Sequence, residues 1–227
     1  MSLMTSDRTE KASLNLQFAR IGKALASPRR IELLDLLGQG ERSVEALANE
    51  TGMSVALTSA HLRVLRRVQL VLTRRDGAWI FYRLAGDEVQ RVLSSVRDVA
   101  QAQLDEVRHI VAAYLADRDG LEPLSRRELM DRAKAGDVTV IDVRPRLEYA
   151  AGHIPGALSL PLDELEARLG ELPANVEIVA YCRGPFCLYA PTAIGILRAH
   201  GHRARRLVDG FPEWRLAGLP VATGAGI

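Results

Sequence analysis

Aromatic side chains make up 5% of this 227-residue chain, and it holds two cysteines, Cys182 and Cys187. It has no apolar run near the ~18 residues of a membrane-spanning helix, and its opening MSLMTSDRTEK lacks the apolar core of a secretory signal. These shortages exclude a disulfide-stapled scaffold and a helical membrane protein, and they lead us to expect a cytoplasmic chain. In a reducing compartment two thiols serve chemistry more readily than stapling. What is present describes an ordinary globular protein, 48% apolar and 26% charged, with a formal net charge of +2. Its length suits two domains of about 100–150 residues.

The near-neutral total hides an asymmetry. Residues 51–83 contain Arg63, Arg66, Arg67, Arg74, Arg75 and Arg83 against a single acid, Asp76. Around them the pattern is helical. SPRRIELLDLLGQG opens with Ser27 as N-cap and Pro28 at the first helical position, and places Ile31, Leu34 and Leu37 on one face. Ser43 starts a short helix with Val44, Leu47 and Ala48 inward. After a turn at Gly52, Ser54 caps VALTSAHLRVLRRV. Two helices joined by a short glycine turn predict a helix-turn-helix. LVLTRRDGAWIFYRL then gives two β-rich runs about Asp76-Gly77, a hairpin signal and hence a wing.

If Leu62 and Leu65 pack inward, Ser59, Ala60, Arg63 and Arg67 face outward, where a helix can enter a DNA major groove. Arg74, Arg75 and Arg83 on the hairpin would reach flanking phosphates, which supply salt-dependent affinity while the helix reads bases. Over about residues 15–116 these segments resemble the winged-helix ArsR family of bacterial repressors. That resemblance implies a homodimer on a palindromic double-stranded operator. At positions where metal-sensing members carry cysteines this chain has Ser43 and Glu45, and the helix after the wing offers only His109. No metal site is expected. Val55, Ala56, Leu57 and Ala60 replace common polar readers, which leaves Thr58, Ser59, His61 and Arg63 to discriminate sequence. From Asp87 to Ala116 apolar residues recur every three or four positions, predicting one ~30-residue helix, ~45 Å long, whose stripe calls for a partner helix. A homodimer through helix 86–116 is the simplest answer.

ADRDGLEP breaks this periodicity and predicts a linker over 117–123 between a domain at 1–116 and another at 124–227. Beyond it VTVIDV, GALSLP, VEIVAYC and ARRLVDG read as strands, while SRRELMDRAKAG, LDELEARLGEL and LYAPTAIGILRAHG read as helices. The alternation predicts an α/β domain with a largely parallel sheet and its site at the strands' carboxyl ends, where Asp142 and Cys182 fall. A loop from strand to helix N-terminus, RGPFCL, gathers N–H groups and the helix dipole near Cys182, which predicts a reactive thiolate.

Residues 121–223 resemble rhodanese domains, in IDVRPRLEYAAGHIPGALSLPLDEL, in YCRG with its short loop, and in LVDGFPEWRLAGLPV. The resemblance implies transfer of sulfane sulfur from a small donor such as thiosulfate or a persulfide to Cys182. Loop amides would hold the persulfide, and Arg183 would attract an anionic donor. Asp142, Arg144 and Glu148 would hold the architecture by ion pairing, with His153 a turn residue and Trp214 core. Pro185 removes one N–H from the loop. Leu188 stands where a related phosphatase would need arginine. Cys187 would convert the modified Cys182 to a disulfide, or else pack as a small apolar side chain. Two readings stay beside that of a sulfur- or redox-sensing regulator. One is a working sulfurtransferase whose DNA-binding half controls its own gene; the other is a partner-binding module without chemistry. No cofactor is expected.

Overall fold

The computed structural model describes residues 2–115 and 123–224. The chain forms two compact units, Met1–Leu93 and Ser94–Ile227, each with its own core.

In the first unit, helices α1 (Ser2–Leu25), α2 (Pro28–Gly38), α3 (Val44–Thr51) and α4 (Val55–Arg67) precede strands β2 (Val71–Asp76) and β3 (Trp79–Leu84). A two-residue strand β1 (Arg42–Ser43) pairs with β3, giving the antiparallel order β1-β3-β2. Local chemistry sets the helix starts. Ser43 accepts from Ala46 N and Ser54 from Leu57 N, whereas Ser27 caps α2 through its backbone carbonyl alone. The wing turns through Gly77 and Ala78, with Gly77 at φ 59°, a backbone conformation that a hairpin of this length requires. Leu33, Leu34, Leu47, Leu62 and Leu65 are fully buried, so the apolar spacing of the sequence is the core.

After the wing come α5 (Asp87–Gln103) and α6 (Asp105–Leu115), two helices where one was expected over 87–116. The break at Leu104 has a physical basis. Arg108 donates to the carbonyls of Gln101 and Ala102 that a continuing helix would have used, and Asp105 and Glu106 sit at the positive start of α6. The expected linker at 117–123 lies outside the described residues except for Pro123.

The second unit continues with α7 (Arg126–Ala135), β4 (Val138–Asp142), α8 (Arg146–Ala151), β5 (Leu158–Ser159), β6 (Glu177–Tyr181), α9 (Tyr189–Ala199), β7 (Ala204–Arg206) and α10 (Phe211–Leu216). Its sheet is wholly parallel, in the order β5-β4-β6-β7. Both faces are covered, and Ile141, Ile178, Val179 and Ala180 are fully buried, as a parallel sheet demands. The segment 162–172, expected as a helix, instead makes turns and a 3-10 helix at Glu166–Glu171. Bonds from Arg168 to Leu165 and from Leu172 to Leu169 span three residues, and Gly170 and Pro173 prevent a longer helix.

Candidate functional site

Two places concentrate chemistry, α4 with the wing in the first unit and the loop after β6 in the second. On α4, burial of Leu62 and Leu65 turns Arg63, Arg66 and Arg67 outward, and Ser59 and His61 are partly exposed. Thr58 must be removed from the expected base readers. Its side chain is fully buried and donates to Ser54 O at 3.0 Å. Val55 and Leu57 are 46% exposed at the start of the helix, an apolar edge suited to thymine methyl groups.

The wing arginines differ from one another. Side chains alternate across a strand, so Arg74 and Arg75 point to opposite faces. Arg74 Nη2 lies 2.7 Å from Glu41 Oε2 and its Nη1 3.0 Å from Asp76 Oδ2. These bonds push its pKa further up, Glu41 contributing most. Arg74 is thus already neutralised, which corrects the picture of a charge waiting for phosphate. Arg75 donates to Gly77 O at 3.1 Å and keeps an exposed guanidinium.

In the second unit the site begins where β4 and β6 end. Asp142 and Arg144 form a buried pair, with Arg144 Nη2 2.6 Å from Asp142 Oδ2 and 2.7 Å from Gly152 O. The guanidinium lies 4.4 Å from the Phe211 ring and 5.6 Å from that of Tyr181. Burial opposes its charge, Asp142 outweighs burial, and Arg144 stays ionised. Glu148, fully buried, holds Arg183 through Nη2 at 2.5 Å and Nε at 3.0 Å. Arg183 also lies 5.2 Å from the Tyr189 ring. His153 is buried and stacked on Tyr149 at 3.7 Å, and Trp214 donates to Pro220 O, so both serve packing.

Cys182 follows the last residue of β6, and its carbonyl accepts from Phe211 N at 3.0 Å. This brings the loop against Gly210, where any Cβ would lie 2.2 Å from Gly184 N; only glycine fits. The Cys182 thiol, 3% exposed, lies 3.6 Å from Cys187 O and 3.8 Å from Gly184 O. Burial first, and then the neighbouring Cys187, push its pKa well up. Cys187 behaves oppositely. A hydrogen bond from Cys182, together with the N–H groups of Tyr189 and Arg183, lowers its thiol to about 7. The expected low pKa at Cys182 is therefore corrected: burial raises this thiol, and the thiol that hydrogen bonding lowers is Cys187. The amide cradle is also smaller than expected, because Cys187 N–H is used by Gly184 O and Pro185 has none.

Family comparison matches residues 27–72 to "Bacterial regulatory protein, arsR family" and residues 125–217 to "Rhodanese-like domain". Similarity to the HTH-type transcriptional regulator Rv0324 of Mycobacterium tuberculosis runs nearly end to end, 48% identical over 99% of this chain and 98% of that one. This chain belongs to the ArsR family, with a rhodanese-like domain attached. A sulfurtransferase of Allochromatium vinosum is 34% identical over 46% of this chain and 94% of its own. The solution structure of the homodimeric winged helix-turn-helix DNA-binding domain of Mb0332 from Mycobacterium bovis is 49% identical. It covers 42% of this chain and 89% of that one, with a TM-score of 0.40.

As an ArsR-family protein the chain is a DNA-binding transcriptional regulator, and its α4 carries the exposed arginines on one unit while the thiols lie on the other. Among the described residues no three His, Cys, Asp or Glu side chains gather as metal ligands, and no helix is long and apolar enough to cross a membrane. Two pairings escaped sequence reasoning, that of Glu41 with Arg74 and that of Glu148, expected to pair but with no partner named, with Arg183. The two glutamates lie 33 and 35 residues from their arginines, a separation that no local pattern reports.

Proposed function

We propose that this regulator senses reactive sulfur through Cys182 and Cys187 and changes its hold on operator DNA accordingly. The observation that carries the reading is the thiol pair itself, Cys182 and Cys187 in the one loop between β6 and α9, with Cys182 Sγ 3.6 Å from Cys187 O and the two thiols shifted in opposite directions. As Cys182 attacks the outer sulfur of a donor R–S–SH, its proton passes to the Cys187 thiolate. A bond forms between Cys182 Sγ and that sulfur, the donor's S–S bond breaks, and RS⁻ leaves. Cys187, deprotonated again, then attacks Cys182 Sγ and releases HS⁻, leaving a disulfide. A sensor needs this sequence once per signal, whereas an enzyme must recycle.

Arg63, Arg67 and Arg75 would meet DNA phosphates, with Ser59, His61, Val55 and Leu57 at the bases. The active species is a cytoplasmic homodimer. Its support is apolar surface that a lone chain leaves in water: Leu16 and Phe18 on α1, Val96 and Val99 on α5, and Ile110 on α6. A linker over 117–123 would join the halves. Mass spectrometry of the polysulfide-treated protein, paired with a DNA shift of the same sample, tests the function. A Cys182 adduct with altered DNA binding is expected; DNA binding unchanged by a full adduct favours a sulfurtransferase.

A further inference from the structure

Four arginines around the thiol loop are already matched. Arg183 is held by Glu148, Arg144 by Asp142, and Arg146 by Glu164. Arg126 lies 2.8 Å from Asp209, which precedes the Gly210 that touches Gly184. On the same side, a Cβ added to Gly184 would lie 3.6 Å from Glu213 Oε2, so a carboxyl group borders the loop directly. A dianion approaching these sulfurs meets carboxylates and no uncommitted charge among these four arginines.

Adjoining the loop at Tyr189 is a groove of about 560 Å³ lined by Val143, Pro161, Leu162 and Tyr189, with Arg146, Asp163 and Glu164 among its walls. Tyr189 joins groove to site, since its N–H faces the Cys187 sulfur. The groove offers apolar contact, and with Arg146 paired to Glu164 the charge left over in its lining is the negative one of Asp163.

We propose that the sulfur donor is an organic persulfide whose carrier group is uncharged and partly apolar, and that thiosulfate and other anionic carriers are rejected. The inference rests on the reading that Cys182 accepts sulfur. It adds that Glu148, by engaging Arg183, acts as a specificity-determining residue. The transfer is balanced as above: the outer sulfur moves to Cys182 and the carrier leaves as its thiolate from the groove.

The full chain would be loaded with hydroxyethyl persulfide, carboxyethyl persulfide or thiosulfate. Each rate, read by mass spectrometry, is divided by the same donor's rate with free 2-mercaptoethanol to remove intrinsic reactivity. The normalised hydroxyethyl rate should exceed the two anionic ones by roughly 10-fold or more at low salt. That gap should shrink between 0.01 and 0.15 M salt, as the screening length falls from about 30 to about 8 Å. Glu148→Gln should narrow the gap by releasing Arg183; because Glu148 is buried and the variant can misfold, the wild-type donor series decides. Equal normalised rates at low salt overturn the inference and leave the sensor reading intact. No loading by any donor overturns that reading, and the inference with it.

Discussion

At Cys182, burial that shields a persulfide from solvent also disfavours the thiolate needed to make one. In the proposed transfer Cys187 supplies the missing base, and its pKa, lowered to about 7 by the hydrogen bond from Cys182, places the titration near neutrality. Cys182→Ser should abolish loading, since a serine hydroxyl is not appreciably ionised there. Loading of the wild type should rise as pH increases through about 7, where Cys187 becomes thiolate. In Cys187→Ser the rise should move to higher pH, because burial still raises Cys182, and the persulfide once formed should last longer. Mass spectrometry across pH checks both effects; a fast Cys187→Ser with an unmoved profile would remove Cys187 from proton transfer. Arg144 belongs to stability instead. Arg144→Met strands the buried Asp142 carboxylate and should cost about 3–5 kcal/mol in urea unfolding of the second unit.

Among the elements, α4 and the wing are expected to carry unequal shares of the DNA contact. Arg67→Ala should lower the log–log salt slope of operator binding by about one, and Arg74→Ala by much less, because Glu41 and Asp76 already neutralise Arg74. Equal slopes in the two variants would contradict that ranking. The same elements show what was legible in advance. Ser43, Ser54, the Gly52 turn and the Asp76-Gly77 hairpin act through neighbours a few residues away, so the winged helix could be read directly. Strand–helix alternation likewise placed Cys182 at a strand end. The segment 162–172 misled because its apolar spacing suits either a helix or the 3-10 turn that Gly170 and Pro173 enforce. The division at Leu104 depended on Arg108 reaching back to two carbonyls, a contact that apolar periodicity does not encode. Thr58 misled for a different reason: a polar residue type does not reveal that its hydroxyl is spent on the preceding turn. The opposite shifts of the two thiols depended on burial and on the contact between Cys182 and Cys187, both products of tertiary packing.

For the molecule as a whole, the exposed apolar residues of α5 would set the proposed homodimer. Val99 is 61% exposed, and Val99→Asp should shift the protein from dimer to monomer in sedimentation and weaken operator binding with it. A dimeric variant would move the interface elsewhere. Dimerisation matters because two recognition helices must meet half-sites about one DNA turn apart, so a small change in their spacing alters affinity. Sulfur loading is expected to weaken binding through such a change, with a coupling of roughly 1–3 kcal/mol, about 5- to 150-fold, acting equally in reverse. The most direct test is titration of one operator with reduced protein, sulfur-loaded protein and Cys182→Ser exposed to the same donor. Reduced protein and the variant should bind alike and loaded protein more weakly; equal affinity in all three would contradict sensing.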